Sequence, residues 1–223
     1  MKKLLFILIP FFFTQFAEAV EEWPSSLHNK LAQSVTFVRT LVSSKRVKES
    51  TSSGSLLARV TTRVIQNNLN SSGFAIGNGH FVLTCFHGID NRKSCAVSSL
   101  RNETQMGKVV KTDPKDDLAL IWIKKPLPPL QLATASRLRS FESIHQIVHP
   151  MDKKCVEKVG YFLYHFNHQD FFTIRSEHGN SGSPLFNQNG EVISMVMATN
   201  VCGGITTTVG RDLKTLKKFL AAH

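Results

Sequence analysis

The sequence carries no internal repeat and no low-complexity tract. Its 223 residues, 42% apolar and 19% charged with 13 Gly and 8 Pro, fit neither a collagen, a coiled coil nor a disordered chain. Cysteine is scarce: four residues are too few for a miniprotein built on disulfides, so a hydrophobic core has to fold the chain. No two cysteines stand at the close CxxC spacing that presents paired zinc ligands. No helix or CxH pattern gathers His145, His149, His165 and His168, so these read as scattered surface histidines and no metal centre or other cofactor is expected. Acidic residues number 16 against 27 Lys and Arg, a formal charge of +11. The basic residues are spread along the chain without a dense run joined to aromatics, which reads as a solvated basic surface and excludes a nucleic-acid partner.

Beyond the N-terminus no apolar run reaches the ~20 residues of a bilayer span. The N-terminus itself has a short positive stretch from Met1 to Lys3, an apolar run from Leu4 to Phe13 broken at Pro10, and an AxA cleavage signature at Ala17-Glu18-Ala19. This pattern reads as a secretory signal peptide over residues 1–19. Pro10, Thr14 and Gln15 leave the run too short for a membrane anchor. Losing Lys2, Lys3 and Glu18 takes the charge from +11 to +10, so the mature chain stays basic and is free of stable membrane insertion. Export to a periplasm or to the medium places Cys85, Cys95, Cys155 and Cys202 where disulfides persist. Three connectivities are open. Cys85 to Cys95 is the most local and leaves Cys155 to Cys202, while the alternative is that some cysteines are small buried hydrophobes.

Pro24-Ser25-Ser26 followed by Leu27 and Leu31 reads as a capped short helix, and Ser34 to Val42 as a strand. Ser43 to Ser55 reads as an exposed loop, Leu56 to Ile65 as a second strand, and Asn67 to Ser72 as a polar break. In SGFAIGNGHFVLTCFHGID, Phe74 to Ile76 and Phe81 to Cys85 flank Asn78-Gly79, the signature of a hairpin with a type I′ turn. Leu118 to Ile123 is another strand. Pro126, Pro128 and Pro129 make Lys124 to Leu132 a crossover linker and put a midpoint near residue 130. Strand candidates follow at Ile144 to Val148, Val159 to Tyr164 and Phe171 to Ile174, then a hairpin joining Pro184 to Phe186 with Glu191 to Ala198 through Asn189-Gly190. Asp212 caps a final helix with Leu213, Leu216, Phe219 and Leu220 on one face, expected to pack on the second half. Short strands at regular spacing indicate an all-β barrel or sandwich architecture.

Three segments carry chemistry: TCFHGID around His87, DDLALIWI around Asp117 and HGNSGSPLF around Ser181. A serine hydroxyl is a poor nucleophile near neutral pH. It needs a base such as His87 and a buried carboxylate to fix the imidazole tautomer, which Asp117 at the head of an apolar strand can supply while Asp116 points the other way by alternation. The glycines around Ser181 let the amides of Gly179 and Ser181 face a developing oxyanion. Each signal alone also suits a turn or a cap, and their combination gives them weight. His178, three residues before Ser181 in a tight loop, is poorly placed to serve as the base.

In these three segments and in their order, His then Asp then Ser, the sequence resembles the chymotrypsin-like serine proteases, most closely the HtrA-type protease domain and the bacterial glutamyl endopeptidases. The intervals of 30 and 64 residues between His87, Asp117 and Ser181 resemble the short loops of the HtrA branch, as does LPPLQLATASRLRSFESIHQIVHPMD. The resemblance implies two six-stranded antiparallel β-barrels with a C-terminal helix. The first barrel would lie within residues 20–130 and supply His87 and Asp117. The second, within residues 131–223, would supply Ser181. It implies an exported serine endopeptidase acting on protein or peptide substrates through an acyl-enzyme; the alternative is a non-catalytic homologue used for binding or adhesion. Several features depart from the pattern. The chain lacks a PDZ module after the last helix, Cys85 and Phe86 replace small residues, and Ser183 replaces a glycine, as in the glutamyl endopeptidases. Val196 stands where those enzymes carry a glutamate-reading histidine. The primary pocket is therefore expected to be modest and uncharged, walled by Val196, Met197 and Ala198, with Arg175 six residues before Ser181 either at its base or solvated. Residues 20–72 are alternatively a removable pro-segment. N-terminal sequencing of the exported protein is expected to read from Val20 onward; a start at or after Gly73 would support the pro-segment instead.

Overall fold

The computed structural model describes residues 23–51, 59–100, 103–135, 138–148, 155–202 and 205–222. The proposed signal peptide, residues 1–19, and His149 lie outside them. Helix α1 (Ser25–Ala32) leads into six strands: β1 (Val35–Thr51), β2 (Arg59–Ile76), β3 (Phe81–Cys85), β4 (Ser94–Ser98), β5 (Thr104–Asp113) and β6 (Leu118–Trp122). Six more follow: β7 (Ser143–Val148), β8 (Val156–Phe166), β9 (Gln169–Phe172), β10 (Pro184–Phe186), β11 (Val192–Cys202) and β12 (Ile205–Asp212), then helix α2 (Leu213–Ala221). Each set closes into an antiparallel barrel, in the orders β1-β2-β3-β6-β5-β4 and β10-β11-β12-β9-β8-β7. The expected pair of six-stranded barrels is therefore the fold.

The continuous apolar run of β6 has a physical cause. Ala119 and Ile121 point into the first barrel, whereas Leu118 and Leu120 point into a separate cluster between the barrels, so the strand is buried on both faces. The same alternation splits β3, with Val82 inside the barrel and Leu83 and Cys85 in the seam. From the second barrel, Phe186, Val192 and Met195 enter the seam while Leu185, Ile193 and Val196 fill that barrel's interior. Both barrels thus share one apolar wall, and the loops at its rim are held together.

Several local expectations change. Of the loop expected at Ser43 to Ser55, residues 43–51 are instead strand, because β1 runs to Thr51 in register with β2; residues 52–55 lie outside the described residues. The polar break expected at Asn67 to Ser72 lies inside β2: backbone pairing to β1 continues through it regardless of side-chain type. The hairpin at Asn78-Gly79 forms, but with four loop residues between the paired Ile76 and Phe81. Positive φ falls on Gly77 and Gly79, and the Asn78 side chain accepts from the His80 amide, so the turn is not type I′. Helix α2 is capped by Asp212 as expected, its carboxylate accepting from Thr215 N at 2.9 Å. It packs against the second barrel and also reaches the first, where Lys111 on β5 donates to the carbonyls of Phe219 and Ala222, complementing the helix C-terminus.

Cys85, Cys95 and Cys155 are free thiols, so neither expected bridge forms. Cys85 on β3 and Cys95 on β4 stand three strands apart in the barrel order and belong to different clusters. Burial pushes the Cys95 thiol up to about 12 and the Cys155 thiol to about 11. His145 was expected at the surface. It is fully buried instead, stacked on Trp23 with centroids 4.2 Å apart and bonded to Glu157 at 2.7 Å. Gly79 sits at φ +85 with a would-be Cβ 2.1 Å from the Leu127 carbonyl oxygen. Gly79→Ala is therefore expected to cost about 2 kcal/mol or more, read from the urea midpoint of unfolding.

Candidate functional site

His87 follows β3 by two residues, and Asp117 immediately precedes β6, the strand paired with β3. The pairing brings the two side chains together: the Asp117 carboxylate accepts from His87 Nδ1 at 2.8 Å through one oxygen and from the His87 amide at 2.9 Å through the other. The Asp117 carbonyl also accepts from the Phe86 amide at 3.2 Å. Holding all three requires a left-handed backbone, φ +56, which aspartate tolerates better than most residues. With Nδ1 engaged, Nε2 is the free acceptor of the ring. Asp116 turns elsewhere, to Arg211 of the second barrel at 3.5 Å.

The Ser181 loop precedes β10 and docks on β2. The Ser72 amide donates to the Ser181 carbonyl at 2.7 Å and the Ser72 hydroxyl to the Gly179 carbonyl at 2.8 Å. Gly182 has φ +88, and a Cβ there would lie 2.1 Å from the Ser72 carbonyl oxygen, so only glycine permits the approach. Gly182 N donates to the Val196 carbonyl at 2.7 Å, and the Cys85 thiol reaches that same carbonyl at 3.2 Å. Cys85 Sγ in turn belongs with the ligand atoms of His87 and Asp117 to a group lying within 4.8 Å of one another. Through Cys85 and Val196, the serine loop is thus tied to the His87 and Asp117 pair.

Within the loop the amides of Asn180, Gly182 and Ser183 are all bonded to backbone carbonyls. Those of Gly179 and Ser181 donate to nothing among the described residues. The Ser181 hydroxyl donates to the Met197 carbonyl at 3.2 Å, at the bulge where β11 slips register between Val196 and Ala198, and makes no bond to His87. Val196 is buried, Met197 half-buried and Ala198 exposed. Arg175 and His178 are exposed, the Arg175 carbonyl accepting from Lys158 Nζ at 3.0 Å. Ser72 was missed in the sequence because the polar stretch around it reads as a chain break; the signal is its position just before the glycine and apolar strand that lead to His87.

A residue model described as the trypsin-like peptidase domain matches residues 71–195, more than half of the chain. The chain belongs to that family. Among similar proteins is a probable periplasmic serine endoprotease DegP-like of Pseudomonas putida, 34% identical over 134 residues, which covers 56% of this chain and 28% of that protein. Another is the serine protease HTRA1 of Xenopus tropicalis, 29% identical over 166 residues, 68% of this chain and 35% of that protein. The chain thus spans about a third of the length of the curated relatives it matches.

The hydrogen bond to Asp117 raises the His87 pKa above 6.5, with the carboxylate's charge adding to it and partial burial opposing it. Burial, reinforced by Asp117, pushes the Cys85 thiol well above its ordinary range and keeps it protonated. Cys85, His87 and Asp117 therefore make a poor cation site, since the thiol holds its proton and the other two groups are bonded to each other. Because the folded-state pKa of His87 is raised, the pair stabilises the fold at low pH and loses that contribution as pH rises through the folded value. Asp117→Asn removes the charge that raises His87 and leaves the opposing desolvation. NMR titration of the imidazole is expected to give a value at or below 6.5, against one above 6.5 in the parent protein.

Proposed function

We propose that this trypsin-like domain is an exported serine endopeptidase that hydrolyses peptide bonds through an acyl-enzyme. Ser181 is the nucleophile, His87 the general base and then acid, and Asp117 the group that orients the imidazole. The observation that carries the reading is the Asp117 carboxylate bonded to both the Nδ1 and the amide of His87, beside a serine loop with two unspent amides. Rotation of Ser181 about χ1 exchanges the Met197 carbonyl for His87 Nε2, which takes the hydroxyl proton as Oγ attacks the substrate carbonyl. The oxyanion then rests on the amides of Gly179 and Ser181, where one donor typically lowers the barrier by about 2.7–4 kcal/mol. Protonated His87 delivers its proton to the departing amine, and water repeats the sequence to release the acid. This chemistry uses no cofactor.

Of the residues expected to wall the primary pocket, Met197 and Ala198 are accessible and uncharged, while Val196 is buried inside the second barrel, so no charge meets a substrate side chain there. Ser176, buried nearby, is occupied by a bond from the Thr208 hydroxyl at 2.7 Å. With Arg175 exposed, an uncharged residue before the cleaved bond is favoured over an acidic one. The export reading rests on the N-terminal pattern and on the periplasmic designation of the similar Pseudomonas and Marinomonas proteins. The binding-protein alternative is favoured by one observation, the Ser181 hydroxyl resting on Met197 and not on His87.

A phosphonofluoridate is expected to label Ser181, and His87→Ala to abolish the labelling. Ser181→Ala is expected to lower the cleavage of denatured casein by a factor on the order of 10⁴ or more. Cleavage should fall as the pH drops through a midpoint above 6.5, where His87 gains a proton and can no longer accept one. A folded protein with inert Ser181 and no cleavage would overturn the catalytic reading and leave the binding alternative.

A further inference from the structure

Sequence spacing does not gather His165 and His168; the fold does. Strands β8 and β9 are joined by the turn Asn167-His168, with φ +49 and +61, between the paired Phe166 and Gln169. Positive φ at both central residues is the type I′ form. The tip of this hairpin is fastened to the end of β12, where the His168 carbonyl accepts from the Asp212 amide and from Arg211 Nη1, each at 3.4 Å. His165 on β8 and His168 in the turn thereby meet the same carboxylate. Asp212 Oδ2 stands 3.7 Å from His168 Nδ1 and 4.0 Å from His165 Nε2.

The other Asp212 oxygen is spent on helix α2, where it accepts from Thr215 N. Oδ2 forms no hydrogen bond among the described residues, although the side chain is nine-tenths buried. Neither imidazole contact is short enough to be one. Neighbouring ligand atoms around a tetrahedral zinc stand about 3.4 Å apart, so two partly exposed rings come to that distance from Oδ2 by small rotations. The His165 ring is already oriented: its Nδ1 donates at 2.8 Å to Asp170, also nine-tenths buried, which leaves Nε2 as the free acceptor on the side of Asp212. A carboxylate behind an imidazole in this way orients metal-bound histidines. Burial pushes the Asp170 carboxyl up, His165 draws it down, and the charge of Asp212 raises it again, so two like charges act on one another here. The Arg211 guanidinium is engaged at 3.5 Å with Asp116 of the first barrel.

We propose that His165 Nε2, His168 Nδ1 and Asp212 Oδ2 form a binding site for a divalent transition cation, zinc, which pins the tip of the β8–β9 hairpin to the junction of β12 and α2. Two imidazoles and one carboxylate are a borderline donor set that suits zinc, and three protein ligands leave the fourth position to water. Calcium and magnesium favour all-oxygen sites and fit these donors poorly. Asp170 is the positioning residue behind His165. The cation also relieves the repulsion between the Asp170 and Asp212 carboxylates. The site stands apart from the proposed reaction, and none of its readouts depends on catalysis.

The test strips the full chain with EDTA and titrates it with zinc chloride at pH about 7.5, where free imidazoles are neutral, by isothermal titration calorimetry. Thermal unfolding is followed with and without zinc. One zinc per chain and a higher unfolding midpoint in its presence are expected. His165→Gln and His168→Gln are each expected to abolish saturable binding and the rise in midpoint, and Asp170→Asn to weaken binding about tenfold or more. Asp212→Asn keeps a side chain that caps α2, so it is expected to lose zinc while its metal-free midpoint stays near the parent's. Zinc binding that survives both His165→Gln and His168→Gln, or that is lost only in His87→Ala, would put the ion elsewhere and overturn the proposal. A parent chain that takes up no zinc would overturn it as well.

Discussion

The site depends on one close backbone approach: the loop carrying Ser181 lies against β2 so tightly that Gly182 leaves no room for a Cβ over the Ser72 carbonyl. Each barrel closes through its own hydrogen bonds, and nothing in that closure fixes where one barrel sits on the other. The seam fixes it, through shared apolar residues and through the bonds from the Ser72 amide and hydroxyl to the carbonyls of Ser181 and Gly179. Those carbonyls are committed to β2, while the amides of Gly179 and Ser181 donate to nothing among the described residues. The same docking that holds the Ser181 loop therefore leaves two backbone donors beside the Ser181 hydroxyl, with no charged side chain needed. Since placement errors of about an ångström can cost two orders of magnitude in rate, a rigid backbone seat is a more effective arrangement than a flexible side-chain contact.

Asp117 shows how one residue serves both structure and electrostatics. Its carbonyl holds Phe86, one carboxylate oxygen holds the His87 backbone and the other holds the ring, so the imidazole is fixed by its main chain and by its side chain at once. The adjacent Asp116 works across the seam, pairing with Arg211, whose side chain is only 7% exposed. Two neighbouring carboxylates of like charge are thereby kept apart, one spent on the imidazole and the other on a guanidinium. An arrangement with both facing the imidazole would have pitted the two charges against each other.

What the sequence made legible follows from local chemistry. His87, Asp117 and Ser181 sit beside strands or turns whose signals are short-range, and the apolar runs around them located β3, β6, β10 and β11. The turn at Gly77 to His80 was misread because a dipeptide preference does not count the residues between the last paired positions. Ser72 was misread for a deeper reason. A polar residue in a strand looks like a break unless one knows that a backbone from another barrel will come to meet it, and that partner is 107 residues away from Gly179's point of contact. His145 likewise reads as a surface group until Trp23 and Glu157 cover it. The cysteine pairing failed because proximity in sequence says nothing about strand order: ten residues separate Cys85 from Cys95, yet the barrel sets β3 and β4 on different walls.

The N-terminal segment bears on both barrels at once. The Trp23 indole donates to the Gln188 carbonyl at 3.0 Å, its ring stacks on His145, and His28 shares Glu157 with that histidine. All of these partners belong to the second barrel, while the chain continues directly from α1 into β1 of the first. Residues 23–76 therefore span both barrels, contribute two of the six strands of one, and include Ser72, on which the Ser181 loop rests. Removing Val20 to Ser72 as a pro-segment would open the first barrel on two adjacent strands and take away Ser72, on which the Ser181 loop rests. It would also remove Leu31 and Val35 from the apolar seam that the two barrels share. Proteolytic maturation that preserves the site therefore has to leave β1 and β2 in place.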